Sequence, residues 1–133
     1  MLVRRLTDAA VTEWHRLRTH ILMDAGELGS RNMSVLWIEV PPGTSQSLRS
    51  HEEAEHVYVV TRGEGTLSAA GDTERLVQGD LALIPPATDH AIGNESDETF
   101  VCLSVLSPAV AVDELFTRQL AADVAGYDED DEY

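Results

Sequence analysis

The 133-residue sequence lacks a second cysteine, a long apolar run and enough basic residues to balance its acidic ones. Because Cys102 stands alone, no disulfide can form within the chain. The longest apolar run is far shorter than the roughly 20 residues that cross a bilayer, and the N-terminal arginines precede no secretory apolar segment. These absences favour a protein of the reducing cytoplasm.

The charge balance is strongly acidic. Nine basic residues oppose 24 acidic ones, which gives a formal net charge of −15. Such a surface repels phosphate backbones and anionic lipid headgroups, so we expect neither nucleic acid nor membrane partners. Six of the 24 acidic residues lie in residues 123–133, which we interpret as a solvated, disordered tail rather than as a docking segment.

Short apolar and β-branched runs, separated by glycine, proline and aspartate, fill residues 32–108. This pattern is typical of an all-β sandwich or barrel, and the chain length gives room for one domain. Residues 1–31 are expected to form an N-terminal extension with strands packed on the barrel. A short helical piece is expected near residues 8–14. Helical spacing of Val112, Leu115, Phe116 and Leu120 predicts a C-terminal helix over residues 109–122.

Two segments combine histidine with strand-like alternation. Residues 43–63 contain His51 and His56, and residues 79–94 contain His90. Side chains alternate across a strand, so His56 and Tyr58 are expected to share one face. If these faces point inward, the three imidazoles converge. Neutral imidazoles bind divalent transition metals and three of them leave coordination positions open, which predicts a working metal site.

The same two segments resemble the paired motifs of the cupin superfamily over about residues 32–108. The matching positions are Gly43, His51 and Gly63 in the first motif, and Gly79, Pro85, His90 and Asn94 in the second. The resemblance implies a double-stranded β-helix, or jelly-roll barrel. It also implies a divalent metal such as zinc, iron, manganese or nickel, a small-molecule substrate, and a homodimer paired through the outer barrel face.

Two residues depart from the family pattern. Arg49 stands where the family has its first histidine, and His56 stands where it has its glutamate. A guanidinium cannot ligate a metal. Arg49 therefore either anchors a substrate carboxylate or enolate oxygen, or forms an ion pair with one of the nearby acids, Glu52, Glu53 and Glu55. The histidine at position 56 resembles the histidine-rich sites of small bacterial cupins, including aromatic polyketide cyclases.

Two further residues are candidates for catalysis. Tyr58 could donate a proton from the pocket wall, or simply pack in the core with one hydrogen bond. Glu55 could act as a fourth ligand or a base, or remain a solvated loop carboxylate. His15 and His20 lie outside both motifs and are expected to have surface or packing roles.

The leading hypothesis is a small metal-dependent enzyme of cyclase, isomerase or dioxygenase type. His51, His56 and His90 would bind the metal, and Arg49 would hold the developing charge of an anionic or enolisable substrate. The alternative is a cupin that binds a small molecule without metal and without catalysis. Arg49 favours the alternative, whereas the three histidines favour the enzyme.

Overall fold

The computed structural model describes residues 1–14, 16–49 and 52–113. Within these ranges the chain forms two short 3-10 helices, at Leu6–Asp8 and Glu27–Gly29, and ten strands. The strands are β1 (Ala10–Trp14), β2 (Leu17–Met23), β3 (Ser34–Val40), β4 (Thr44–Leu48), β5 (Glu55–Arg62), β6 (Glu64–Ala69), β7 (Asp72–Val77), β8 (Leu81–Ile84), β9 (His90–Asn94) and β10 (Phe100–Ser107). No helix in these ranges is long and apolar enough to span a bilayer.

The strands form two antiparallel sheets that face each other as a jelly-roll barrel, as the sequence predicts. One sheet has six strands in the order β1-β2-β3-β10-β5-β8, and the other has four in the order β4-β9-β6-β7. The connections cross between the sheets, so strands that are distant in sequence become neighbours. The barrel is therefore an all-β fold with its core between the sheets.

Alternation along the strands places the apolar core. In β3 every second residue from Ser34 to Val40 is buried, and in β5 the same alternation buries His56, Tyr58 and Val60. The core cluster also draws side chains from the opposite sheet, including Leu67, Leu76 and Ile92. Most inward positions are apolar, so the inward polar side chains at one end of the barrel stand out.

Strand pairing brings both histidine motifs to one end of the barrel. His56 pairs with Ile84 of β8 on one side and with Leu106 of β10 on the other. His90 pairs with Leu48, the last residue of β4. The loops before β5 and before β9 therefore lie at the same end, which we call the motif end.

The N-terminal segment corrects one sequence-based expectation. A short helix near residues 8–14 was expected, but the 3-10 turn ends at Asp8 and Ala10–Trp14 is strand β1. β1 pairs along its length with β2, which pairs with β3. Hydrogen bonding to an existing sheet edge outweighs the weak local helical pattern.

The C-terminal predictions extend beyond the described residues. Val110 and Val112 are buried in the core, and the Val110 backbone exchanges two hydrogen bonds with the Ser34 hydroxyl. Val112 and Asp113 have helical conformation. The rest of the helix expected over residues 109–122, and the tail of residues 123–133, lie outside the described part of the chain.

Candidate functional site

Two strands from opposite sheets bring His56, Tyr58 and His90 together inside the motif end. His56 and Tyr58 are two residues apart on β5, so both point inward, and His90 opens β9. All three are buried, and Tyr58 is fully so. The face assignment made from strand alternation is thus correct for these three side chains.

The Tyr58 hydroxyl lies between the two imidazoles. Its oxygen is 2.7 Å from Nε2 of His90 and 3.4 Å from Nδ1 of His56. The His56 and Tyr58 rings stack with centroids 4.3 Å apart, and the His56 and His90 rings meet edge to face at 5.5 Å. One ring nitrogen of each histidine therefore approaches the same oxygen atom.

Ser104 is a member of this cluster that sequence reasoning missed. It lies on β10, directly opposite Tyr58, and it is fully buried. Its hydroxyl makes a short hydrogen bond with Nε2 of His56. The available signal was a hydroxyl at an inward position of the otherwise apolar run of β10, because buried polar groups need partners.

Burial keeps both histidines neutral. It lowers the pKa of His56 from 6.5 to about 3, and the positive charge that His90 carries when protonated acts in the same direction. Burial also lowers the pKa of His90, although the Thr88 backbone and Asp89 partly oppose the shift. Burial raises the pKa of Tyr58, and the neighbouring Cys102 raises it further by a smaller amount. At neutral pH the cluster holds neutral imidazoles and a protonated phenol.

Arg49 takes part in an ion pair that sequence reasoning did not foresee. Its Nη1 lies 3.6 Å from Oδ2 of Asp89, and both side chains are more than half exposed. The pair links Arg49, which follows β4 in the first motif, to Asp89, which directly precedes His90 in the second motif. The Arg49 charge is thus balanced in part by a carboxylate at the motif end.

Two other predicted residues lie apart from the cluster. Glu55 begins β5 with an exposed side chain on the face opposite to His56. His20 lies on the outer face of β2, opposite Trp37 of β3, and its Nε2 is 3.6 Å from Oε2 of Glu39. That distance is within ion-pair range but too long for a hydrogen bond, and neither ring nitrogen of His20 has a hydrogen-bond partner among the residues that the structure describes.

His51 and His15 lie outside the described residues, so the predicted three-histidine set is described only at His56 and His90. Across residues 1–14, 16–49 and 52–113, no three His, Cys, Asp or Glu side chains group as metal ligands would. The two described imidazoles suit a transition metal in chemistry because both are neutral, and the point on which one nitrogen of each converges is the Tyr58 oxygen.

Comparison with known proteins agrees with the fold. A family model described as "Cupin domain" matches residues 36–106. A Cupin 2 conserved barrel domain protein from Salinispora arenicola is 26% identical and superposes with a TM-score of 0.69, covering 89% of this chain and 98% of that one.

Two enzymes share the fold at lower identity. The polyketide cyclase RemF from Streptomyces resistomycificus is 24% identical, with a TM-score of 0.70 over 80% of this chain and 79% of that one. Ectoine synthase from P. lautus is 15% identical, with a TM-score of 0.75 over 89% and 86%. At such identities the likeness shows the barrel alone.

Proposed function

This chain belongs to the cupin family, and from that premise we propose that it is a small metal-binding cupin enzyme of the cytoplasm. The observation that carries the proposal is the pair of buried, neutral imidazoles, His56 and His90, which converge on the Tyr58 hydroxyl. Buried polar groups at this density are costly in a core, so a functional role is the simplest reason to retain them.

His56 and His90 would hold one divalent ion of zinc, iron, manganese or nickel, with His51 as the third ligand. Such a metal, when bound, supplies Lewis-acid polarisation of a substrate oxygen or a site for oxygen chemistry. The neutral state of both described imidazoles supports this assignment, since only an unprotonated ring nitrogen can ligate.

The Arg49–Asp89 ion pair supports the metal assignment as well. An unpaired guanidinium beside the site would repel a divalent ion, whereas Asp89 draws the Arg49 charge into a pair at the exposed rim. From there Arg49 would meet the carboxylate or enolate oxygen of a small anionic or enolisable substrate. Cyclisation, isomerisation and dioxygenation all use such a substrate.

Tyr58 would serve as the proton donor of the site. Its hydroxyl lies 2.7 Å from Nε2 of His90 and is buried away from water, so its proton can move only to that imidazole or to a bound group. Glu55, exposed at the start of β5, would reach substrate only from the rim. We therefore assign the proton-donor role to Tyr58. Glu55 is placed at the rim, outside the proton transfer.

A metal binding experiment tests the proposal. We expect zinc or manganese titration of the chain to give one site, and the His90→Ala variant to lose that site. His20→Ala is the matched control, because His20 lies on the outer barrel face and should leave binding unchanged. Equal binding by both variants would show that the ligands are not in the barrel.

A second candidate function is a cupin that binds a small molecule without metal. It is favoured by the hydrogen bonds of the cluster, since Ser104 and Tyr58 already provide a partner for Nε2 of each histidine. Under this alternative His90→Ala and His20→Ala would both leave metal uptake at background. The first experiment thus separates the two functions.

We also propose that two copies pair through one face of the six-stranded sheet. Two adjacent cross-strand rows on its outer side are hydrophobic across β3, β10, β5 and β8: Trp37, Leu103, Val59 and Leu81 in one row, and Val35, Val105, Val57 and Leu83 in the other. We call these eight side chains the outer apolar face. Leu81 and Leu83 are 61% and 50% exposed.

Apolar composition and area favour a second copy as the occupant. The chain carries −15, so a partner that binds by charge would seek acidic residues, and the outer apolar face has none. Strand and row spacings give it about 250–300 Å². That is the size of an apolar interface core, and the surrounding polar residues would supply the remainder of about 800 Å² per partner.

A further inference from the structure

Ser104 is a fully buried hydroxyl that the proposed function does not explain. It points inward from β10, between the apolar neighbours Cys102 and Leu106 on the same face. Its side chain contacts Nε2 of His56, the nitrogen that does not face Tyr58. Burying a hydroxyl costs free energy unless it forms a hydrogen bond, and His56 provides that bond here.

The donor and the acceptor of each hydrogen bond in the cluster follow from the Thr88 carbonyl, because a carbonyl oxygen can only accept. Nδ1 of His90 is 3.3 Å from that carbonyl oxygen, so it carries the proton and Nε2 accepts from Tyr58. The Tyr58 oxygen is then left to accept from Nδ1 of His56, over a long 3.4 Å contact. Nε2 of His56 therefore accepts from Ser104.

We propose that Ser104 is a positioning residue that fixes the His56 ring so that Nδ1, not Nε2, faces the centre of the motif end. The inference rests on the proposed function, because it assigns Nδ1 as the metal-binding nitrogen of His56. Nδ1 of His56 and Nε2 of His90 already approach the same Tyr58 oxygen. Nε2 of His56 is occupied by Ser104.

A hydroxyl suits this position because it can both donate and accept. In the metal-free chain Ser104 donates to Nε2 while Nδ1 carries the proton. For Nδ1 to bind a metal, the ring proton must be on Nε2. The Ser104 oxygen can then accept a hydrogen bond from the Nε2–H group. Alanine can do neither, whereas threonine keeps the hydroxyl. Partners of this kind set the orientation of a ligating histidine and its affinity for metal.

Zinc affinity gives the first test, because its direction of change depends on which nitrogen ligates. Competition with a chelator should show that Ser104→Ala binds zinc about tenfold or more weakly than the unchanged chain. Ser34→Ala is the matched control, since Ser34 is equally buried but bonds the Val110 backbone. Unchanged or tighter zinc binding by Ser104→Ala would show that Nε2 is the ligand and overturn the proposal.

The tautomer of His56 in metal-free protein gives the second test, independent of metal. Nitrogen-15 spectra of the ring should show a single Nδ1–H tautomer in the unchanged chain and in Ser34→Ala, and a mixture in Ser104→Ala. Ser104→Thr should restore the single tautomer. Identical His56 spectra in Ser104→Ala and the unchanged chain would overturn the positioning role.

The two tests can be contradicted independently of each other. If the unchanged chain binds none of zinc, iron, manganese and nickel, the proposed function and the Nδ1 ligand assignment both fall. The tautomer spectra still decide whether Ser104 positions the ring, because they are recorded without metal.

Discussion

Burial sets the protonation state of His56, and with it one contribution to how the stability of the chain depends on pH. The folded protein holds this imidazole with a pKa of about 3, while an exposed histidine titrates at 6.5. Between these two pH values the unfolded chain binds a proton at His56 and the folded chain does not. The stabilising effect is complete above the unfolded pKa and is lost as the pH falls from 6.5 toward 3.

We expect the unfolding free energy of metal-free protein to fall by about 1 kcal/mol between about pH 7 and pH 5.5 through His56 alone. His90, whose pKa is also lowered, acts in the same direction. Most carboxylates stay ionised over this window. Denaturant titrations at several pH values measure the effect, with His56→Gln as the comparison. The same pH dependence in both proteins would contradict the burial account.

The inward histidines were predictable from the sequence, but their partners were not. Alternation in β5 places His56 and Tyr58 on one face, and motif spacing assigns His90. The Ser104 contact depends on how β10 pairs with β5, which no local pattern of either strand specifies. The Arg49–Asp89 pair likewise joins two loops that are 40 positions apart.

Among the strands, β6 carries a glycine that the barrel requires for space. A Cβ at Gly65 would lie 2.2 Å from Cδ2 of Phe100 and 2.7 Å from the Gly93 carbonyl oxygen. Phe100 begins β10 and is fully buried at the end of the barrel away from the histidines. Gly65 thus lets this ring fill the far end of the core.

We expect Gly65→Ala to lower the unfolding free energy by about 2–3 kcal/mol, because the added methyl overlaps the Phe100 ring and the Gly93 carbonyl oxygen. Gly93→Ala is the matched control on neighbouring β9. Its nearest contact is 3.1 Å, to the Thr66 hydroxyl, so we expect a loss below about 1 kcal/mol. Thermal or denaturant unfolding measures both. Equal losses would mean that Phe100 moves aside without strain.

Local patterns predicted most strands, and the failure at β1 shows their limit. The punctuation by glycine and proline marks the turns of residues 32–108 because those turns need special backbone angles. Gly43, Gly63 and Gly79, for example, all have positive φ. Residues 8–14 contain no such mark, and their strand exists because β2 offers an edge. Edge pairing is a tertiary effect that local propensity does not report.

For the whole molecule, the outer apolar face predicts a dimer. Leu81 and Leu83 lie on the edge strand β8 at the exposed margin of that face. We expect the unchanged chain to show twice its monomer mass by light scattering, and Leu81→Glu with Leu83→Glu to give monomer. Burying the four carboxylates that the two copies contribute would cost several kcal/mol per interface.

Val77→Glu is the control for that experiment, because Val77 is an exposed apolar residue of β7 in the other sheet. It should leave the dimer intact. A monomeric unchanged chain, or dissociation by Val77→Glu as well, would contradict pairing through the outer apolar face.

The family and the barrel followed from the two motifs, since their positions mark turns and inward faces over most of the fold. The chemistry at the motif end follows less completely, because metal binding depends on the joint placement of loops from several strands. His51 belongs to such a loop and lies outside the described residues. A direct measurement on the protein is therefore the decisive one.

The central claim is that the barrel holds one divalent metal through its inward histidines. Elemental analysis of the purified chain, before and after incubation with zinc, iron, manganese and nickel salts, tests it most directly. We predict close to one equivalent of one of these metals per chain, and its loss in His90→Ala. Less than about a tenth of an equivalent under every condition would contradict the claim and leave a metal-free binding barrel.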